Sequence, residues 1–218
     1  MLTGGAGGRA MSYAAAEVFA RQGRVDATPS SLNGRTDAWI VAQFAAGHEL
    51  AGDPDALRRF HQAYLGHLER ELEHPGPRKG IMPGVRPLLD HLSERRDVVL
   101  GLLTGNLEAG ARLKLQHFDL WKYFSTGAFG GEVVERNHLF AVALDQVAEV
   151  HGARFDPSDV VIVGDTPFDV AVARAGGARS VAVATGSHDL EALASSGADV
   201  VLNDLSDLNA TLAAFGLS

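Results

Sequence analysis

The sequence predicts an α/β fold: a doubly wound, mostly parallel sheet preceded by a helical domain. After about residue 80, short apolar runs alternate with helical segments, and this alternation builds a parallel sheet with helices on both faces. Before about residue 74, the pattern is helical with hardly a strand candidate. The segment HPGPRKG at 74–80, rich in proline and glycine, separates the two halves. We therefore expect a helical domain over 1–79 and an α/β core over 80–218.

Three helices are predicted in the first half. An Ala-rich segment at 9–22 stops at Gly23, and Trp39, Ile40 and Phe44 share one face of a helix over 36–46. Asp53 is a suitable N-cap for a long helix that continues through 72.

The second half alternates regularly. Apolar runs such as VVIVG at 160–164 are typical of strands buried on both faces. Strands are predicted at 98–104, 125–129, 160–164, 180–184 and 199–202. Helices are predicted at 85–94, 107–116, 137–151 and 167–175. Two more helices are predicted, one that begins at 189 and a last one that ends at 215.

Composition narrows the classes of function. The chain has 218 residues, of which 46% are hydrophobic and 21% charged, values typical of globular proteins. Its net charge of −8 comes without the basic cluster that nucleic-acid binding requires. Because cysteine is absent, any metal must be held by oxygen or imidazole. No apolar run reaches the ~18 residues of a membrane span, and the first residues lack a secretory pattern, so we expect a cytoplasmic protein without membrane partners.

Two predicted strands end in residues suited to bind an anion and a cation. Thr104 and Gly105 follow the first strand, where the next helix offers free N–H groups to an anion. Asp165 follows the 160–164 strand, and Asp169 lies one helical turn later, a spacing that suits Mg²⁺. The alternative is ordinary turn and helix-capping chemistry at both places.

These segments carry a family resemblance. LLTGN at 102–106 resembles the second motif of the haloacid dehalogenase-like (HAD) hydrolase superfamily, and GDTPFD at 164–169 resembles its fourth. MPGVRPLL at 82–89, ARAGGA at 173–178 and VAVATG at 181–186 are similar to phosphoglycolate-phosphatase-type members.

The resemblance implies hydrolysis of a small phosphorylated metabolite through an aspartyl-phosphate. Thr104 and the Gly105 and Asn106 backbone would hold the phosphoryl group, and Asp165 and Asp169 would hold Mg²⁺.

The resemblance also implies a cation on the phosphate. The family's lysine-proline segment is replaced here by ERNH at 135–138, so Arg136 is the first candidate. Lys114 is the second, although it lies roughly 12 Å along its helix from the start. Each is alternatively a surface cation. The resemblance also makes 1–79 the helical cap of such enzymes. Arg35 is then a candidate substrate contact from this cap, or alternatively a solvated arginine beside a helix start.

The family's first motif, a strand ending in Asp-x-Asp, has no counterpart. The sequence DPD at 53–55 is interpreted as helix capping, and residues 2–7 resemble the segment that normally comes just after the first motif. We therefore expect that the first core strand is absent and that this polypeptide alone is inactive.

Other functions stay open. A protein that binds phosphate and metal without catalysis is one. A nucleotide-binding oxidoreductase is another, because GAGGRA at 5–10 fits a dinucleotide fingerprint and Asp26 lies about twenty residues later. Within the superfamily, a mutase or phosphonate hydrolase is possible, whereas the Asp165/Asp169 pair argues against a dehalogenase, which needs no Mg²⁺.

Overall fold

The computed structural model describes residues 1–19, 34–46, 54–131, 133 and 135–217. Four predicted features lie outside these residues: the helix stop at Gly23, the acid Asp26, the N-cap Asp53, and the side chain of Phe44. None of the helices within the described residues has the length and apolar character of a bilayer-spanning segment.

The first three helices form a unit with its own core. They are α1 (Ala6–Phe19), α2 (Asp37–Ala46) and α3 (Pro54–Glu73). Alanines of α1 allow it to lie closely along α3, where Phe60, Tyr64 and Leu68 are fully buried. An ion pair of 2.5 Å between Arg9 and Glu71 joins the same two helices.

The remaining chain alternates strands and helices as predicted. Its elements are α4 (Val85–Ser93), β1 (Gly101–Thr104), α5 (Glu108–His117), β2 (Thr126–Phe129), α6 (Leu139–His151), β3 (Val161–Gly164), α7 (Pro167–Gly176), β4 (Arg179–Val183), α8 (Leu190–Ser195), β5 (Val200–Leu202) and α9 (Leu208–Phe215).

All strand pairs of this part are parallel, which confirms the predicted fold class. Val183 of β4 packs with α4 and α9, whereas its neighbour Ala182 packs with α7 and α8. Because successive residues of a strand point to opposite faces, helices cover both faces of the sheet.

The sheet is described in two parts. β1 pairs with β2, and β3, β4 and β5 form a second group in that order. Among the described strands, no ladder joins β1 to β3, and Val163 of β3 is 43% exposed.

Most element boundaries agree with the sequence prediction to within three residues. The first strand begins at Gly101 rather than Val98, because its ladder with β2 starts at the Gly101–Thr126 pair. Leu2 pairs with Gly80 in a single antiparallel bridge, so the start of the chain returns to the junction between the two halves.

Candidate active site

The loop after β1 presents the Thr104 hydroxyl. Gly130 N–H donates to the carbonyls of both Thr104 and Asn106, at 2.9 Å each, which ties this loop to the end of β2. The Thr104 Oγ1 accepts two hydrogen bonds from Asn106, one from its backbone N–H at 3.2 Å and one from its side-chain Nδ2 at 2.7 Å. The hydroxyl oxygen is therefore held on one side by Asn106.

The loop after β3 is organised around Asp169. Its Oδ2 accepts from the backbone N–H groups of Asp165 and Thr166 and from the Thr166 hydroxyl, at 2.9–3.1 Å. Thr166 and Asp169 thus form a capping box at the start of α7. The alternative interpretation had Asp165 as the N-cap and Asp169 as an acidic residue of the first turn. The structure places the N-cap at Thr166 instead, with Asp169 at the third helical position.

Arg136 joins the two loops. Its Nη2 donates to Asp169 Oδ1 at 2.6 Å, and its Nη1 lies 3.0 Å from the position that a Cβ on Gly105 would take. Arg136 thus lies between the loop that follows Thr104 and the loop that follows Asp165, and we call the space around its guanidinium the mouth. With Arg136 on Oδ1 and three donors on Oδ2, the Asp169 carboxylate is fully engaged.

Residues 34–38 of the helical unit close over this mouth. Asp37 N–H donates to the Gly105 carbonyl at 2.6 Å, and Ala38 N–H donates to the Gly130 carbonyl at 3.0 Å. Arg136 Nη1 donates to the Gly34 carbonyl at 3.1 Å. Gly34 has a φ of 76°, and a Cβ there would overlap the Phe168 ring, so this close approach requires glycine.

Arg35 is held at the rim between two aromatic rings. Its guanidinium carbon lies 4.5 Å from the centroid of Trp39 and 4.6 Å from that of Phe168. These distances are within the range of cation–π attraction. Among the described residues, no carboxylate pairs with Arg35, and the residue is exposed. The structure thus places an exposed guanidinium between two aromatic rings beside the site, with no ion pair to a carboxylate of the described residues.

Lys114 lies beneath the Thr104 loop. Its ammonium donates to Asn106 Oδ1 and stands 6.0 Å from the centroid of the buried Tyr64 ring. Asp37 is also buried here, and its carboxylate accepts from Leu107 N–H at 2.8 Å, the amide at the start of α5. The sequence placed Lys114 on an apolar helix face, where a charge needs a partner, and the partners are these groups.

The pKa values of Asp37 and Lys114 depend on each other's charge. Burial raises the pKa of the Asp37 carboxyl, while the Lys114 charge and the Leu107 N–H act in the opposite direction. Burial alone would lower the pKa of Lys114, but the nearby Tyr64 and Asp37 groups outweigh it, and the pKa lies above its ordinary value. Lys114 is therefore a protonated donor.

Asp165 is the carboxylate available to a cation. Burial, and next the negative charge of Asp169, raise the pKa of Asp165, while the N-terminal ammonium of Met1 and the Arg136 guanidinium act in the opposite direction. Within the described residues no ion pair engages it, and its Oδ2 contacts Gly186, where a Cβ would overlap it. A carboxylate destabilised in this way is stabilised by a bound cation. No group of three or more His, Asp or Glu side chains suited to a metal occurs in the described part of the chain.

Comparisons with known proteins show which family the chain resembles. Residues 137–208 match a family model described as HAD-hydrolase-like. The phosphoglycolate phosphatase of Synechococcus elongatus is 32% identical over 144 residues, which cover 66% of this chain and 65% of that protein. The phosphoglycolate phosphatase of Chromobacterium violaceum is 30% identical over 147 residues, which cover 67% and 63%. The matches thus span slightly less than two thirds of these relatives.

The chain belongs to the HAD-like superfamily. A crystal structure described as a predicted phosphatase from Clostridium acetobutylicum is 17% identical and has a TM-score of 0.70, with 97% of this chain and 92% of that chain covered. A β-phosphoglucomutase from Clostridium difficile is 15% identical with a TM-score of 0.71, with 98% and 91% covered. These structures establish a shared fold.

The dinucleotide interpretation receives no support from this HAD-like chain. Residues 6–10 form the start of α1, which packs along α3 in the helical unit. A dinucleotide site of this type lies instead in the crevice at the carboxyl ends of sheet strands.

Sequence reasoning missed Asp37, Tyr64 and the aromatic clamp of Trp39 and Phe168. Asp37 was seen only as part of a helix start. Its partner Leu107 is 70 positions away, so no local pattern could have revealed the contact.

Proposed function

We propose that this chain carries the phosphate-binding and metal-binding part of a Mg²⁺-dependent phosphomonoester hydrolase for a small phosphorylated metabolite. The observation that carries the proposal is the position of Arg136 between Gly105 of the Thr104 loop and Asp169, whose carboxylate accepts from the backbone N–H of Asp165. Hydroxyl and backbone donors, a guanidinium and a free carboxylate are the groups that a phosphate ester and a divalent cation require. Cytoplasmic location stays a prediction.

The phosphoryl group would lie between the Thr104 loop and Arg136. The N–H groups of the 105–107 loop and the Thr104 hydroxyl would donate to its oxygens, and Arg136 would supply positive charge. Arg136 Nε supports this role, because it is buried and has no hydrogen-bond partner among the described residues. Lys114 is the less suitable cation, since its ammonium is engaged by Asn106.

Asp165 would hold Mg²⁺, with Asp169 supplying further negative charge while it fixes the loop. Mg²⁺ typically uses one or two carboxylates and completes its coordination with water and phosphate oxygens, so a single available carboxylate fits. When bound, the ion would neutralise charge on the phosphate ester. The family mechanism also needs an aspartate nucleophile, and we assign none among the described residues.

Arg35 would recognise a second anionic group of the substrate. The relatives are named for phosphoglycolate, a phosphate ester that carries a carboxylate. A guanidinium pairs with a carboxylate through two parallel hydrogen bonds, and its position between Trp39 and Phe168 lowers the entropy lost on binding.

Titration calorimetry tests the metal and phosphate sites. We expect inorganic phosphate to bind the chain in the presence of Mg²⁺, and Asp165→Asn to abolish the Mg²⁺ dependence. The matched control is Asp159→Asn, an exposed aspartate outside the site, which should leave binding unchanged. Phosphate binding that is indifferent to Mg²⁺ and to Asp165→Asn would contradict the proposal.

Two ligands test the role of Arg35. Phosphoglycolate and ethyl phosphate share the phosphate ester, but only the first has a carboxylate. Arg35→Met should weaken phosphoglycolate binding by about tenfold and leave ethyl phosphate unchanged. Arg58→Met, which removes an exposed arginine of α3, is the control. An equal loss for both ligands would mean that Arg35 does not read the carboxylate.

A non-catalytic binding protein is the second candidate. It would bind Mg²⁺ and phosphate in the same way but release no phosphate from phosphoglycolate, even in the longest natural form of the protein. Phosphate release in a colorimetric assay distinguishes the two functions.

A further inference from the structure

A chain of polar contacts leads from the helical unit to the Thr104 hydroxyl. Lys114 of α5 donates to Asn106 Oδ1, and the other end of the same amide, Nδ2, donates to Thr104 Oγ1 at 2.7 Å. Asp37 and Tyr64, both from the helical unit, are buried beside the Lys114 ammonium. Of these residues, the proposed function directly uses only Thr104 and the backbone of Asn106.

The chemistry of the ammonium determines which way the Asn106 amide faces. An ammonium has three donors and no acceptor, so only the amide oxygen can turn toward it. The amide NH₂ group must then face Thr104. The reverse orientation would place two donors against each other and leave Thr104 Oγ1 facing an acceptor.

The amide in turn determines what the Thr104 hydroxyl can do. Its oxygen accepts from the Asn106 backbone N–H and from Nδ2, which occupies both lone pairs. The hydroxyl hydrogen is therefore left to donate elsewhere, in the direction of the mouth. A ligand oxygen there receives a donor that is already oriented.

We propose that Lys114 is a positioning residue that, through Asn106, directs the Thr104 hydroxyl hydrogen at the phosphate-binding mouth. The inference rests on the proposed function for what the mouth binds, but the orientation of the amide does not depend on it. The arrangement is supported from the helical unit: Gly7 of α1 leaves room for the ammonium, whose Nζ lies 3.3 Å from where a Cβ would stand.

The orientation is tested without any ligand. In protein labelled with ¹⁵N-asparagine, the Asn106 side-chain amide protons should exchange slowly with solvent, and Asn106→Asp assigns their signals. Lys114→Met should make this exchange faster by about tenfold or more, whereas Arg112→Met, which removes an exposed cation of the same helix, should not. Unchanged Asn106 exchange in Lys114→Met would overturn the proposal.

A double-mutant cycle tests the consequence for binding. Lys114→Met and Thr104→Val should each weaken inorganic phosphate binding in Mg²⁺ by about tenfold, and together no more than Thr104→Val alone. Independent, multiplying losses would overturn the proposal, because they indicate a direct contact of Lys114 with phosphate or a merely structural role. If the unsubstituted chain binds no phosphate, the proposed function fails, and the amide exchange still decides the role of Lys114.

One further variant separates the proposed effect of Lys114 from a loss of stability. Lys114→Met leaves the buried Asp37 carboxylate without its cation, which could destabilise the chain. Lys114→Met combined with Asp37→Asn removes that charge and keeps an oxygen acceptor for Leu107 N–H. This pair of substitutions should show the same fast amide exchange and weak phosphate binding as Lys114→Met. Slow Asn106 amide exchange together with unweakened phosphate binding in this double variant would contradict the proposal.

Discussion

The ion pair of Arg136 with Asp169 gives a prediction whose size can be worked from the structure. The two side chains are only 14% and 12% exposed and are joined at 2.6 Å. Arg136→Met keeps much of the packing volume but removes two hydrogen bonds, one to the Asp169 carboxylate and one to the Gly34 carbonyl.

Several opposing effects set the magnitude. A hydrogen bond to a buried charged group contributes about 1.5–3 kcal/mol, and one to a neutral carbonyl about 0.5–1.5. Leaving a buried charge wholly unpaired costs about 3–5 kcal/mol. Asp169 retains three donors on Oδ2, so that full cost is not reached. Removing the buried Arg136 Nε, which has no hydrogen-bond partner among the described residues, offsets part of the loss. We expect Arg136→Met to lower the free energy of unfolding by about 2–3 kcal/mol.

Urea unfolding followed by circular dichroism measures this change, and thermal unfolding should show a Tm lower by roughly 5–10 °C. The control is Arg112→Met, which breaks an exposed pair with Glu108 and should cost about 0.5 kcal/mol. Arg136→Met should cost at least 1 kcal/mol less when Asp169→Asn is already present. A loss no larger than that of Arg112→Met would refute the reasoning.

Two other predictions concern the mouth. Because burial and Asp169 raise the pKa of Asp165, protons compete with Mg²⁺ at a pH above the usual range for aspartate. Mg²⁺ affinity, measured by calorimetry between about pH 4.5 and 7.5, should therefore fall as the pH falls, and the metal-free protein should gain stability from this group over the same range. A Mg²⁺ affinity that stays constant as the pH is lowered to about 4.5 would contradict the raised pKa of Asp165. Gly105→Ala should destabilise the chain by about 1–3 kcal/mol, because a Cβ there overlaps the Arg35 carbonyl oxygen. Gly66→Ala, on α3 with no atom within 4 Å, should instead stabilise it by up to about 1 kcal/mol, and equal effects in urea unfolding would contradict the steric argument.

The sequence was informative where the physical cause is local. Apolar runs of strand length predicted each strand of the core to within three residues, because burial on both faces requires such runs. Residues that directly follow a parallel strand lie at one edge of the sheet, so Thr104 and Asp165 could be assigned to the same mouth. Helix capping after the 160–164 strand was expected from Asp165, whereas the structure has a capping box of Thr166 with Asp169.

The partners of charged residues depended on the tertiary structure. Asp169 was predicted as a metal ligand, and its spacing from Asp165 carries no information on Arg136, which lies 33 positions away and saturates its second oxygen. Lys114 was the second candidate for the phosphate cation, after Arg136, and folding brings its ammonium to Asn106 and to two residues of the helical unit.

The sequence alone thus determined the order of strands and helices, their parallel pairing and the chemical types at the two strand ends, since these depend on short-range patterns of hydrophobicity, turns and caps. The tertiary structure decided which carboxylate stays available, which cation faces the mouth, and how residues 34–38 cover it. Those outcomes depend on contacts such as Arg136 with Gly34, 102 positions apart, and only the packed chain brings such groups within hydrogen-bonding distance.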